Sequence, residues 1–300
     1  MQTLYNAIAE FAPGRVLVNE PMCRHTTFRV GGPADVMFFP QSAEELQRAM
    51  ALARVQGADV LVIGNGSNLV VRDGGVRGLV IVLGEHMARI SVEGACLRAQ
   101  AGAMLARVSA AAQEAGLSGL EFASGIPGTL GGGCAMNAGA YGGQLSDVLS
   151  CAAVLLDGEV RTLSRDEMQM SYRSTLPLRT GGIVLEAKFE LHADDPAEIM
   201  ARMKELNARR RDKQPLNLPS AGSTFKRPEG HFAGALIEGC GLKGARVGGA
   251  QVSEKHAGFI VNTGGATASD ILGLIALVQR RVLAETGVAL ETEVRIVGED

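Results

Sequence analysis

SGIPGTLGGGCAMNAGAYGG, residues 124–143, is the stretch on which the reading of this chain turns. It holds eight glycines and no charged residue. A flexible linker would be rich in Ser or Lys. Here Ile126, Leu130, Cys134, Met136 and Tyr141 recur instead, and such side chains favour burial. The stretch therefore reads as a packed, glycine-dependent loop. Glycine lets a backbone come close to a ligand, and successive bare N–H groups form anion-binding concavities. A phosphate or cofactor cradle and a tight structural corner both satisfy this composition.

Outward from it, the chain mixes helices and strands without a strict βα alternation, which favours α+β over a doubly wound sheet. Helices are expected at 3–11, at 42–56 behind the Ser42/Glu45 capping box, at 104–115, from Pro196 to the basic run 209–213, and at 269–285. The helix at 42–56 should bury Leu46, Ala49, Met50 and Ala53, and the one at 269–285 Ile271, Leu272, Ile275, Val278 and Val282. Basic residues 209–213 in a last helical turn complement the dipole. Strands are expected at 36–39, 60–63, 79–83, 90–92, 96–101, 183–191 and 291–297. Asp157-Gly158 should join a hairpin of 151–156 and 159–163. Ser164 and Glu167 form another capping-box pair.

Three hundred residues allow two or three domains. A net charge of −3, no Trp and 4% aromatics leave no basic face or stacking platform for nucleic acid. Five cysteines without C-x-x-C spacing give neither a disulfide framework nor a zinc site. None of the five histidines has metal-ligand spacing with another, so no metal is expected. No secretory signal or membrane-length apolar run is readable, so the expected compartment is the cytoplasm.

Three further segments carry chemistry-bearing residues. GNGSN, residues 64–68, follows an apolar strand, yet Leu69 stands where the dinucleotide fingerprint needs its last glycine, and no G-K-[ST] occurs. Gly, Ser and Asn in such a loop can still hold a diphosphate through backbone N–H groups and small polar side chains. AGSTFK, residues 221–226, sets Ser223 in a proline-bounded loop. It is not a nucleophile elbow, and a turn serine is the commoner reading of such a residue. Alternation in ETEVR, residues 291–295, puts Glu291, Glu293 and Arg295 on one strand face, as a solvated face also would.

Taken together, the motifs resemble the UDP-N-acetylenolpyruvoylglucosamine reductase family. The likeness runs in order from NEP (19–21) and TTFRVGGPAD (26–35) through GNGSNL (64–69), SGIPGTLGG (124–132) and MNAGAYG (136–142). It continues with Tyr172-Arg173, AGSTFK (221–226), GLKG (241–244), SEKHAGFIVN (253–262) and Glu293-Val294-Arg295. The segment STLPLRTGG (174–182) is too short for the extra tyrosine-bearing loop of some members, so the chain resembles the subclass lacking it. Arg227 stands where many relatives have Asn.

The resemblance implies an α+β protein with the FAD-binding fold of the vanillyl-alcohol-oxidase (PCMH) type. Two flavin-binding subdomains, 1–80 with 290–300 and 81–195 (PCMH-type region about 29–195), would hold the flavin, with a substrate-binding domain at 196–289. The implied reaction carries hydride from NADPH through non-covalent FAD to the enolpyruvyl double bond of a nucleotide sugar, giving UDP-N-acetylmuramate for peptidoglycan. Arg173, Ser223 (the proton donor) and Glu293 match the active-site residues. Lys213, Arg227 and Lys243 match substrate-contacting positions. Gly64, Asn65, Gly66, Ser67 and Asn68, then Ser124, Gly125, Ile126, Pro127, Gly128, Thr129, Gly131 and Gly132, with Asn137, match cofactor-binding loops. Another flavoprotein oxidase of the same fold, or a flavin- or nucleotide-sugar-binding module, is the rival reading.

Overall fold

A computed structural model describes residues 1–300. The chain divides into two compact units, one of Met1–Leu17, Met37–Asn65 and Val80–Arg210, the other of Val18–Val36, Gly66–Leu79 and Arg211–Asp300. It passes between them inside the strands Val16–Pro21, Pro33–Phe38 and Val76–Val82, inside the loop 64–68, and inside the helix Pro196–Lys213.

The first unit is built on a five-stranded sheet ordered Glu159–Ser164, Leu149–Leu156, Ile183–Glu190, Cys96–Gln100 and Ile90–Glu93. All its pairings are antiparallel. The expected hairpin is present: Leu156 pairs with Glu159, and Asp157 (φ 53) and Gly158 (φ 84) supply the two left-handed residues of a type I′ turn. Leu97, Ala99, Val154 and Phe189 pack with the inner face of the helix Leu105–Glu114, through Leu105, Val108 and Ala112, into one core. In the helix Ala43–Val55, Ser42 Oγ accepts from the Glu45 N–H at 3.3 Å. Ser164 and Glu167 make both bonds of their box, at 2.8 and 3.3 Å, but only turns follow, because Met168 folds into the core there instead of continuing a helix.

The second unit has its own core around the helix Ala268–Thr286. Its start is capped twice. Thr267 and Asp270 form a capping box, and the Asp73 carboxylate accepts from the N–H groups of Ala268 (2.8 Å) and Ser269 (2.9 Å). Burial alone would raise the Asp73 pKa, but the Ser269 hydroxyl and these N–H bonds outweigh it and hold it below the usual carboxylate value. Gly287 in the left-handed conformation ends the helix. Its buried face is Ile271, Leu274, Ile275, Val278 and Val282; Leu274 takes the place expected for Leu272, because i, i+3, i+4, i+7 places it nearer the middle of the stripe.

The closing strand is shorter than expected. Only Arg295–Val297 pairs with Leu69–Val71, in parallel. The residues before it bridge to a different partner, Phe225 with Thr292, so the segment changes partner at the buried Val294.

Candidate active site

In the first unit the glycine-rich stretch is a packed element. Residues 130–135 form a short helix, Leu130–Ala135, a state glycine disfavours by about 1 kcal/mol per residue. Close packing offsets that cost: a Cβ on Gly131 would lie 2.8 Å from the Ala101 Cβ. Gly132 is the exception, exposed and with no atom nearer than 3.9 Å to its Cβ position. Buried Thr129 precedes the helix, and its hydroxyl occupies the space that a Cβ on Gly64 would need. Asn65 Nδ2 donates to the Pro127 carbonyl at 2.6 Å. Gly64 and Asn65 are thus held edge to edge with residues 127–129. Cys134 is fully buried, and burial pushes its thiol up to about 12, so it is inert at neutral pH.

The entrance to this stretch is fastened by the helix Pro196–Lys213. Asn207 Nδ2 donates to Ser124 Oγ at 3.1 Å, and Arg210 donates to the Gly125 carbonyl. Arg202 binds Glu121 Oε1 at 3.0 and 3.1 Å. Burial pushes the Glu121 carboxyl up, but Ser118, backbone N–H groups and Arg202 together hold it ionised below its usual range. Within the basic run read as complementing the helix dipole, Arg210 is turned inward. Its relative exposure is 9%, its Nε–H has no partner, and its guanidinium carbon lies 5.9 Å from the Tyr141 ring centre.

Arg173 lies at the tip of a two-residue turn. Ser171 and Ser174 close it with paired backbone bonds of 2.8 and 3.2 Å, and Arg173 itself has φ 54. A side chain in that region costs of order 1 kcal/mol and is a pointer to function. The Arg173 guanidinium carbon lies 5.1 Å from the Tyr172 ring centre. Asn137, also left-handed at φ 45, is buried close by, and its amide donates toward the Ser171 carbonyl at 3.4 Å.

In the second unit the residue after Ser223 is bonded through its backbone to Glu293. Thr224, fully buried, donates its N–H to Gly258 O at 2.9 Å and accepts from Ile260 N at 3.1 Å through its hydroxyl. Its carbonyl accepts from Glu293 N at 2.8 Å. This anchor leaves the neighbouring Ser223 exposed and Glu293 half-buried beside it. Asn68 joins the same cluster, donating to the Glu293 carbonyl at 3.0 Å while its own carbonyl accepts from Arg295 N at 3.0 Å. Gly66 has φ 59, and a Cβ there would collide with the His25 carbonyl oxygen. Next to it, the buried Thr27 Oγ1 has no partner although Thr27 N donates to Gly66 O at 3.3 Å.

Of the expected substrate-contacting cations, Lys213 is exposed at the end of its helix. Lys243 is paired with Glu238 at 2.6 Å, and Arg227 lies over the Phe232 ring at 4.0 Å.

Taken separately, each unit carries features that suit part of a large, polar, anionic cofactor such as the flavin dinucleotide the motifs imply. In the first unit Gly64 is required by close approach, Gly132 offers bare backbone and the buried Arg210 Nε has no protein partner; in the second, Gly66 is required by close approach and the buried Thr27 Oγ1 has no protein partner. Neither Arg210 nor Thr27 was legible from its motif. Only burial without a partner singles them out.

Comparison with known proteins bears on the same segments. Residues 214–297 match the family model of the UDP-N-acetylenolpyruvoylglucosamine reductase C-terminal domain, and residues 34–164 that of an FAD binding domain. The chain is 50% identical over 298 residues to a UDP-N-acetylenolpyruvoylglucosamine reductase of Alkaliphilus oremlandii, covering 99% of this chain and 98% of that protein. The crystal structure of the corresponding reductase from Thermus caldophilus matches with a TM-score of 0.80 at 38% identity, over 94% of this chain and 97% of that one. An alkyldihydroxyacetonephosphate synthase matches with a TM-score of 0.51 at 18% identity over 64% of this chain and 41% of that one, a likeness of fold alone. The fold is α+β with an FAD-binding domain of the vanillyl-alcohol-oxidase type.

Proposed function

Since this chain belongs to the UDP-N-acetylenolpyruvoylglucosamine reductase family, we propose that its residues reduce the enolpyruvyl ether of UDP-N-acetylglucosamine to UDP-N-acetylmuramate. The observation that carries this is 50% identity maintained over the whole length, together with an FAD-binding domain. The chain is an FAD-dependent oxidoreductase with NADPH as hydride donor, acting in peptidoglycan precursor synthesis. Cytoplasmic location and a part in cell shape and division belong to the same reading. No helix is long and apolar enough to cross a membrane. The division into flavin-binding parts at 1–80 with 290–300 and 81–195, and a substrate-binding part at 196–289, is carried with it.

Bound FAD supplies the hydride relay between NADPH and the enolpyruvyl double bond. The chain's residues do the rest. Hydride at one carbon of that double bond leaves negative charge on the carboxylate side of its neighbour. Arg173, planar and permanently charged, stabilises that charge. The Ser223 hydroxyl then gives its proton to the neighbouring carbon. A serine is a weak acid, so it serves only when held against an enolate; the buried, hydrogen-bonded Thr224 next to it supports a fixed position for Ser223. Glu293, beside it, polarises or orients the substrate carboxylate. Lys213, Arg227 and Lys243 hold the substrate's anionic groups. The loops at 64–68 and 124–132 hold the cofactor, with Thr27 and Arg210 added to the matched positions.

Anaerobic titration tests the function. NADPH should bleach the flavin absorbance, and the enolpyruvyl nucleotide sugar should restore it in stoichiometric amount. A flavin reduced by a small alcohol and indifferent to the nucleotide sugar would favour the rival oxidase.

Arg173→Lys should lower turnover at saturating substrate by roughly tenfold or more, because lysine keeps charge but loses the two-pronged geometry that matches a carboxylate. Arg173→Gly should lose activity too while still folding, since glycine suits the left-handed backbone at this position. Wild-type turnover in Arg173→Lys would count against the role.

A further inference from the structure

The turn that bears Arg173 is fastened on both sides to one short piece of chain, and we propose that Asn137 and Thr175 are positioning residues that set the place of the Arg173 guanidinium. The proposal rests on the role given to Arg173 above.

Just before the turn, the Asn137 amide nitrogen reaches the Ser171 carbonyl at 3.4 Å. Just after it, the fully buried Thr175 hydroxyl donates to the Ala135 carbonyl at 2.7 Å and accepts from Leu178 N at 3.3 Å. Residues 135 and 137 therefore hold 171 and 175, and the two-residue tip between them carries the arginine. On the outer side Arg179 donates to Ser174 Oγ at 2.9 Å and Gln169 Oε1 at 2.6 Å. Residues 135–137 close the helix Leu130–Ala135, whose other end is Thr129 against Gly64. That helix is about 9 Å long at 1.5 Å per residue. One rigid piece thus reaches from the proposed cofactor loop to the arginine's turn.

Asn137 was matched by its motif to a cofactor contact. Its side chain is engaged by protein groups: the amide nitrogen, with two N–H groups, lies within reach of Gln144 Oε1 (3.1 Å), Ser146 Oγ (3.3 Å) and Ser171 O (3.4 Å), and its oxygen accepts from Ser146 N at 3.0 Å. It acts through the turn. A charged group that must meet charge developing on a substrate loses much of its effect when displaced by 1 Å, on the order of a hundredfold in rate.

The test uses the flavin-loaded enzyme and follows both half-reactions by stopped flow. Asn137→Gly suits the left-handed backbone, and Thr175→Val keeps the shape without the hydroxyl. Both should keep their flavin content and spectrum and be reduced by NADPH at the wild-type rate. Reoxidation by the enolpyruvyl nucleotide sugar should slow about tenfold or more. In an Arg173→Ala background neither change should slow it further. Thr175→Ser, which retains the hydroxyl, should restore the rate. If Asn137→Gly does not fold, Asn137→Asp, which keeps the acceptor but not the donors, replaces it. Additive slowing in the Arg173→Ala background overturns the proposal, and so does a changed flavin spectrum in Asn137→Gly, which would put Asn137 on the cofactor. Slow Arg173→Ala with wild-type Asn137→Gly and Thr175→Val overturns the positioning alone. Wild-type reoxidation in Arg173→Ala overturns the role of Arg173 and the proposal with it.

Discussion

Ser223→Ala is expected to separate the two halves of the reaction. Passing hydride from NADPH to the flavin requires no proton from this serine, so the variant should bind FAD and be bleached by NADPH at close to the normal rate. Reoxidation by the enolpyruvyl substrate should slow by roughly 10²–10⁴-fold, the range of a lost general acid. The expectation follows from the exposed hydroxyl, carried next to a fully buried Thr224 whose carbonyl binds the Glu293 N–H at 2.8 Å. Ser223→Cys should fall between, because a thiol still donates a proton but is larger and displaced. Anaerobic stopped-flow absorbance resolves the steps. Equal slowing of both would make Ser223 a turn residue and move the proton elsewhere.

Gly66→Ala should cost the protein its flavin. At φ 59 the new methyl group is disfavoured, and it meets the His25 carbonyl oxygen, a backbone atom that cannot swing aside. Relief requires the loop to move, at about 2–4 kcal/mol for overpacking and strain together. At 1.4 kcal/mol per tenfold, flavin retention should drop by at least tenfold. Gly57→Ala is the matched control. Its φ is 62, but nothing lies within 4 Å of the added Cβ. It should cost about 1 kcal/mol of stability and leave the protein yellow. The ratio of flavin to protein absorbance in the purified variants decides it, and a fully loaded Gly66→Ala would remove Gly66 from the cradle.

What the sequence made legible was whatever carries its own local chemistry. The helix Ala268–Thr286 announced itself through the apolar spacing of Ile271, Ile275, Val278 and Val282, and the hairpin through Asp157-Gly158. The helix Ala233–Gly239 did not, because Phe232 at its N-cap offers no side-chain bond. The strands Arg246–Val247, Ala250–Val252 and Ile260–Asn262 are too short to show a period of two. The helix inside the glycine stretch was hidden because glycine speaks against helix locally, while the contacts that favour it, such as Gly131 on Ala101, are tertiary. For the site, the residues alone left Ser223 as a turn serine and Glu293 on a solvated face, and only the resemblance of the ordered motifs to a known family pointed to Arg173, Ser223 and Glu293 together. That Arg173 stands on a left-handed turn, and that Arg210 is buried with an unpartnered Nε–H, depends on packing that no motif encodes.

The interleaving of the two units has a consequence for how the chain is made. Asn68 and Glu293 are 225 positions apart, yet each fixes the other, and Leu69–Val71 finds its parallel partner only in Arg295–Val297. On a ribosome that extends the chain by roughly 5–20 residues per second, the second half of the 64–68 loop waits through most of synthesis before its supports exist. The first unit completes its five-stranded sheet by Glu190 and can consolidate while the nascent chain is still tethered. The second unit closes only with the last strand. The supports of Asn68 at Glu293 and Arg295 therefore form only once those residues have been made, and a product truncated ahead of Glu293 lacks both.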